Sequence, residues 1–171
     1  RILTIASDQD SLVLDFFSGS ATTAEAVMRK NAEDGGHRRF VLVQLPEEAS
    51  GGWGDLCRVG EERIRRAGAK VRAEIEEANR QLELGAEPRP VPDLGFRVLR
   101  VADSCLRDEY AAPADYDQAQ LGLFADNLAD GATPLDLLFQ VLPAFRIPYS
   151  AKIVERELAG HRVFDVEDGQ L

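Results

Sequence analysis

The feature that most limits how this chain folds is the order of patterns within residues 11–46. "SLVLDFF" (11–17) is a short apolar run, broken only by Asp15 and rich in strand formers, as in a strand buried on both faces. From Thr22 the pattern turns helical. Thr22 and Glu25 have the capping-box spacing, in which the Thr side chain takes a free N–H and the Glu reaches back. "EDGG" (33–36) supplies glycines for a left-handed helix end. "RFVLVQLP" (39–46) reads as a second strand, stopped by Pro46. Strand, helix and strand at this length are a right-handed crossover between parallel strands. The chain is thereby expected to be an α/β protein.

The remaining segments add elements to that unit. Residues 1–6 read as the end of a helix. After the glycine-rich "SGGWG" (50–54), Ile64, Ala67, Val71, Ile75, Ala78 and Leu82 form one apolar helical stripe. Glu61 with Arg65, Glu62 with Arg66, and Lys70 with Glu74 lie at i,i+4 on its other faces. "GAEPRPVPD" (85–93) is a proline-rich connector, and "FRVLRV" (96–101) alternates like a third strand. Residues 103–117 are polar and irregular, and "QAQLGLFADNL" (118–128) reads as a short helix. "TPLDLLFQVLPAF" (133–145) opens with Thr133 as N-cap and Pro134 at the first helical position, and Pro143 should end it. "AKIVEREL" and "RVFDVED" read as a hairpin joined at "AGH". Internal repeats are absent. The expected domains are residues 1–104 and an extension over 105–171.

Charge narrows the partners. The 171 residues carry a formal net charge of −10, which disfavours non-specific binding to phosphate backbones. No stretch approaches the length of a membrane helix, and no signal peptide opens the sequence. Cys57 and Cys105 are isolated, as in a reducing compartment such as the cytoplasm. His37 and His161 lack metal-ligand spacing, so no metal is expected. The chain starts at Arg1 and ends on structured-looking "VFDVEDGQL", which reads as a piece of a longer protein. A processed product would look the same.

The turn between the first strand and helix, within "VLDFFSGSATTAEAVM" (13–28), is the candidate ligand loop. A phosphate loop wants a lysine that is absent here. A dinucleotide fold wants G-x-G-x-x-G, whereas these positions read Gly19, Ala21 and Ala24. S-adenosylmethionine carries no phosphate and needs less backbone approach. Its carboxylate suits a helix N-terminus, and its ammonium suits an acid at the strand end, where Asp15 stands. On the residues alone, a buried strand followed by an ordinary capped helix remains equally open.

"LDFFSGSATT" resembles the cofactor motif of amino-group DNA methyltransferases, D-x-F-x-G-S-G-T-T. "AVMRKNAEDGGHRRFVLVQLPE", "ERIRRAG", "LGFRVLRVADS" and the stretch from "TPLDLLF" to the end resemble the modification (Mod) subunit of type III restriction–modification systems. Nearly the whole chain takes part, in the manner of that family's C-terminal portion. The resemblance implies a partial Rossmann-like, three-layer methyltransferase sheet with a C-terminal helix and β-hairpin extension. It implies S-adenosyl-L-methionine as cofactor and methyl transfer to adenine N6 of DNA, with the base flipped from the duplex. It implies DNA, a second Mod subunit and a restriction subunit as partners of the full-length enzyme. The family's catalytic D-P-P-Y is not in this chain, so no catalytic residue is assigned and the piece alone is expected to be inactive.

Carried over position by position, Asp15 would take the cofactor ammonium and Phe17 would pack beside the cofactor. Gly19 and Ser20 would bring backbone amides to the methionine end, and Thr22 and Thr23 match the helix start. Ala21 replaces the usual glycine and, if φ is positive there, costs about 1 kcal/mol or more. At the end of the second strand, where many methyltransferases place an acid for the ribose, Gln44 stands, and Glu47 follows; Gln44 is the weaker assignment. The rival reading is a non-catalytic subunit-assembly module with a degenerate nucleotide-binding loop. A NAD-type domain is disfavoured by the glycine pattern.

Three further features carry plainer readings. Trp53 is a stacking surface or, more simply, a packing anchor. Arg58, Arg63, Arg65, Arg66, Lys70 and Arg72 could track DNA phosphate, but the interleaved glutamates favour a solvated helix face. Asp165, Glu167 and Asp168 read as solvated charge. With this balance the chain should not bind duplex DNA measurably at about 150 mM salt. A gel shift at micromolar protein would contradict that and make the arginine cluster functional.

Overall fold

The computed structural model describes residues 2–83, 85–107 and 127–169. The chain divides into two compact units, Arg1–Val98 and Leu99–Leu171. The helix expected over 118–128 falls almost wholly outside the described residues.

In the first unit, a short helix α1 (Ile2–Ala6) precedes β1 (Leu12–Asp15), α2 (Thr22–Asp34) and β2 (Arg39–Leu42). β1 and β2 pair in parallel, with Leu12 opposite Arg39 and Asp15 opposite Leu42. The crossover read from the sequence is thus present. Its helix ends as expected, with Gly35 at φ 70° and its N–H donating to Asn31 O. Asn31 is also the buried clamp of the helix-to-strand connection. Its Nδ2 donates to Arg38 O at 2.8 Å, and Arg38 N–H donates to its Oδ1 at 3.1 Å. The Arg38 guanidinium, itself buried, pairs with Asp34 at 3.0 Å.

The start of α2 differs from expectation. The cap is Ala21, in the left-handed region, with no side-chain cap bond, so the Thr22–Glu25 capping box does not form. The Glu25 carboxylate is drawn to Arg29 and Arg63 instead, at 3.1 Å from each.

A two-stranded antiparallel ladder, β3 (Glu48–Ala49) with β4 (Gly54–Asp55), leads into α3 (Leu56–Arg80). Asp55 caps α3 by accepting the Arg58 N–H at 2.9 Å. All three expected i,i+4 ion pairs form. Ile64, Ala67, Val71 and Ile75 are buried against Ala21, Ala24 and Met28, with Phe40 and Leu42 of the sheet beside them. The stripe stops there, and Ala78 and Leu82 are exposed. α3, at about 37 Å, outruns α2, at about 20 Å, so α2 does not reach its last turns, where Asn79 instead exchanges hydrogen bonds with the Arg89 backbone.

No strand forms over 96–101. A strand needs a hydrogen-bonded neighbour, and none lies there among the described residues. Phe96 instead packs on the first core, with the Arg65 guanidinium 5.6 Å from its ring centre. The fold is mixed α/β, but every sheet among the described residues has two strands, short of the three-layer sheet anticipated. The outer face of β1 and β2 and of the residues that follow them is exposed and mostly apolar, with Leu12, Leu14, Phe16, Val41, Val43 and Leu45 beside Arg39.

The second unit contains α4 (Pro134–Val141) and a hairpin of β5 (Ile153–Leu158) with β6 (His161–Val166). Thr133 and Asp136 form a full capping box on α4, whose end falls just before Pro143. The hairpin turn is Ala159–Gly160, both at positive φ, as a two-residue turn of matching twist requires. Leu138, Leu142, Ile147, Ala151 and Val166 make its core. No helix among the described residues is long and apolar enough to cross a membrane.

Removing the Asn31 side chain would strand the buried Arg38 N–H and C=O. Asn31→Ala should therefore cost about 1–3 kcal/mol of unfolding free energy, read by urea titration.

Candidate functional site

The candidate loop lies between the end of β1 and the start of α2, beside the chain that runs on from β2. Asp15 is the last residue of β1. Its Oδ1 accepts the Phe17 N–H at 3.3 Å, and its Oδ2 accepts the Thr23 hydroxyl at 2.6 Å. A carboxylate offers about four lone-pair directions, so two contacts leave capacity for another donor. The chain then turns: Ala21 N–H donates to Ser18 O at 2.8 Å. Gly19 and Ala21 both take left-handed backbone, at φ 51° and 59°. The conditional penalty for alanine at position 21 therefore applies.

Ala21 is 2% exposed and seated on α3. Gly60 of α3 lies beneath it: a Cβ there would be in ordinary contact, 3.4 Å from the Ala21 Cβ and 3.6 Å from Gly19 O. On the β2 side, Gln44 Oε1 accepts the Gly19 N–H at 2.8 Å. Ser20 Oγ accepts from Arg63 Nη1 at 3.2 Å, and the same guanidinium reaches Glu25.

The structure thus joins Asp15 to Thr23 and Gly19 to Gln44, and places Ser20 in an ion network. Thr22 is exposed at the first turn of α2, and Glu47 is exposed beyond β2. Phe17 is 86% exposed and stands edge-on to Phe16, their rings 5.9 Å apart. Arg63, Gly60 and the loop contact of Gln44 were not assigned to the site from sequence. Only their separation along the chain hid them, since no local spacing links Ser20 to Arg63 or Gly19 to Gln44.

Next to Ser20 an open depression of about 360 Å³ is lined by Trp53, Arg63, Arg66, Lys70 and Glu62, among others. Trp53 is exposed and carries a stacked cation, so it is not a buried packing anchor, whereas the charged residues follow their plainer readings. Arg66 stacks over Trp53 at 5.5 Å while pairing with Glu62 at 2.8 Å. Arg63, Arg65 and Lys70 are also matched to glutamates. Asp165 pairs with Arg156 and Asp168 with Lys152. Among the described residues no group of acids, histidines and cysteines is arranged to hold a metal ion.

No family model matches the chain. Proteins of known activity do. The class they define is the modification methyltransferase. The StyLTI Mod subunit of a type III restriction–modification enzyme, from Salmonella typhimurium, is 38% identical over 109 residues, covering 60% of this chain and 15% of that protein. The EcoPI Mod subunit of Escherichia phage P1 is 52% identical over 46 residues, covering 27% of this chain and 7% of its own length. The type II methyltransferase M.KpnI of Klebsiella pneumoniae is 44% identical over 43 residues, covering 25% and 10% respectively. The resemblance to type III Mod subunits noted from the motifs is therefore found independently, over part of the chain. The chain spans about 15% of the length of the first of these relatives.

The ion network beneath the loop titrates. Hydrogen bonds from Arg29, then Arg63, hold the Glu25 carboxyl below its ordinary value of 4.5, against a smaller opposing effect of burial. Arg38 likewise lowers Asp34. A depressed carboxylate stabilises the fold fully above its unfolded value, and that contribution is lost as pH falls through the folded value. Stability should therefore begin to fall as pH drops below about 4.5. Glu25→Gln should lower stability at neutral pH and flatten that acid slope, as measured by urea unfolding across pH.

Proposed function

We propose that this chain is the cofactor-binding portion of a site-specific DNA adenine-N6 methyltransferase of the type III modification class. Residues 1–104 would bind S-adenosyl-L-methionine in a partial Rossmann-like unit, and 105–171 would form the C-terminal extension. The observation that carries this reading is the Asp15–Thr23 contact at the end of a parallel strand, in a chain similar to several Mod subunits. That contact places an acid with spare acceptor capacity beside the N-terminus of a 13-residue helix.

The residues present fit the chemistry of the group. Asp15 suits the ammonium. The free amides at the start of α2 suit the carboxylate. Gly19, Ser20, Thr22 and Thr23 would line the methionine end, with Phe17 packing beside the cofactor. Of the two candidates beyond β2, Glu47 is the one with an exposed carboxylate to offer ribose hydroxyls, and Gln44 is already engaged with the loop. When bound, the cofactor supplies an electrophilic methyl group. This chain's part is to hold and orient it. The polar clamp for the adenine amino group, D-P-P-Y in the resembled family, is not in this sequence. DNA, a second Mod subunit and a restriction subunit are the partners proposed for the whole enzyme, working in the cytoplasm.

The exposed apolar face of β1 and β2 favours a second reading, a subunit-assembly module. Calorimetry separates the two. The chain should bind S-adenosylmethionine weakly and NAD not at all, and Asp15→Ala should abolish the binding. Unchanged affinity in Asp15→Ala would remove Asp15 from the site, and no binding by the unaltered chain would leave the assembly reading. Tritiated methyl transfer to mixed-sequence DNA should be absent with this chain alone, because catalytic geometry is missing.

A further inference from the structure

We infer that Gln44 is a positioning residue: its carboxamide holds Gly19 and so sets the shape of the loop over 18–21 that meets the cofactor. The inference rests on the reading that this loop binds S-adenosylmethionine, and it gives Gln44 a task other than touching the ribose.

The argument starts from backbone conformation. Gly19 and Ala21, both left-handed, flank Ser20. An alanine in that region persists only where its surroundings over-determine it. Three surroundings do so here. Within the loop, Ser18 O takes the Ala21 N–H. Below it, the buried Gly60 sets the α3 backbone close to the loop, with a Cβ at that position falling at ordinary contact distance from Ala21 and Gly19. From the β2 side, Gln44 Oε1 takes the Gly19 N–H at 2.8 Å.

The β2 chain itself aims Gln44 at the loop. Burial alternates over Leu42, Val43 and Gln44, so Gln44 lies on the same face as Leu42, whose side chain packs on the helical core. The Val43 N–H is tied to Asp15 O, and the Ser18 N–H to Val43 O, which fixes the register between the two chain segments. The far end of the carboxamide is also held, with Nε2 donating to Leu45 O at 3.1 Å. The Gln44 carbonyl accepts from Cys57 Sγ at 3.4 Å. A side chain engaged at both ends is oriented by the protein, and its effect on a ligand passes through Gly19.

The test compares the unaltered chain with Gln44→Leu, which removes the acceptor, and Gln44→Glu, which keeps an oxygen for Gly19 but loses the amide donor. Two readouts are taken: the shift and exchange rate of the Gly19 amide in ¹⁵N-resolved NMR, and affinity for S-adenosylmethionine by calorimetry. In Gln44→Leu the Gly19 amide should shift and exchange about tenfold faster, with affinity falling by about the same factor, the worth of one hydrogen bond. Gln44→Glu should restore both. An unchanged Gly19 amide in Gln44→Leu overturns the inference. So does a freed amide with unchanged affinity. Restoration of the amide but not of affinity by Gln44→Glu would show that the carboxamide contacts the cofactor directly, and overturns it too. If the unaltered chain binds no S-adenosylmethionine, the functional reading fails, while the amide comparison still decides whether Gln44 sets the loop.

Discussion

A left-handed residue at position 21, buried on a glycine of another helix, governs the first unit. For L-residues this conformation costs roughly 1–2 kcal/mol. Against it stands the buried methyl, worth about 0.8 kcal/mol, which glycine would lack. It offsets part of the cost of alanine where the motif it resembles has glycine, while the Ala21 N–H bond to Ser18 O holds the turn with either residue. The consequence is geometric. The turn sends α2 back along the sheet, lays Ala24 and Met28 on Ile64, Ala67 and Val71, and brings Thr23 under the Asp15 carboxylate. Opening the turn would separate all of these at once.

Charge is organised around that turn and not spread evenly. Arg65, Arg66 and Arg80 of α3 pair with glutamates of their own helix, and Arg63 crosses to Glu25 of α2. The basic face is thereby neutralised locally, in a chain that is strongly acidic overall. Exposed pairs of this kind contribute little each. Arg63 matters more for position, because one guanidinium spans Glu25 and the Ser20 hydroxyl and so links the helix pair to the loop.

The apolar outer face of β1 and β2 complements this picture. The strands carry the near-continuous hydrophobic run of a sheet covered on both sides, yet α2 and α3 cover only one. Exposed contiguous apolar surface of this sort marks an interaction site. It is compatible with a unit that works within a larger methyltransferase.

Much of this could be read from local spacing. The strand and helix patterns of the crossover, the glycine end of α2, the three ion pairs of α3, the Thr133 cap and the hairpin turn each depend on residues within a few positions of one another. Their physics is local, so the sequence by itself determined them. The motif also pointed to Asp15, Gly19, Ser20, Thr22 and Thr23 as neighbours of one turn. The tertiary structure alone decided the rest. Thr22 and Glu25 have capping spacing, but the left-handed turn makes Ala21 the cap and puts Thr22 inside the helix, and two arginines, one of them on a different helix, hold the glutamate. "FRVLRV" alternates like a strand, but pairing depends on a partner the alternation does not specify. Ala78 and Leu82 continue an apolar stripe beyond the end of the helix that buries it. The sequence offers Gln44 only as a ribose contact and gives Gly60 no role, and both reach the loop because β2 and α3 are packed around it. Long-range contacts choose among locally allowed states, and no spacing rule within a single element encodes that choice.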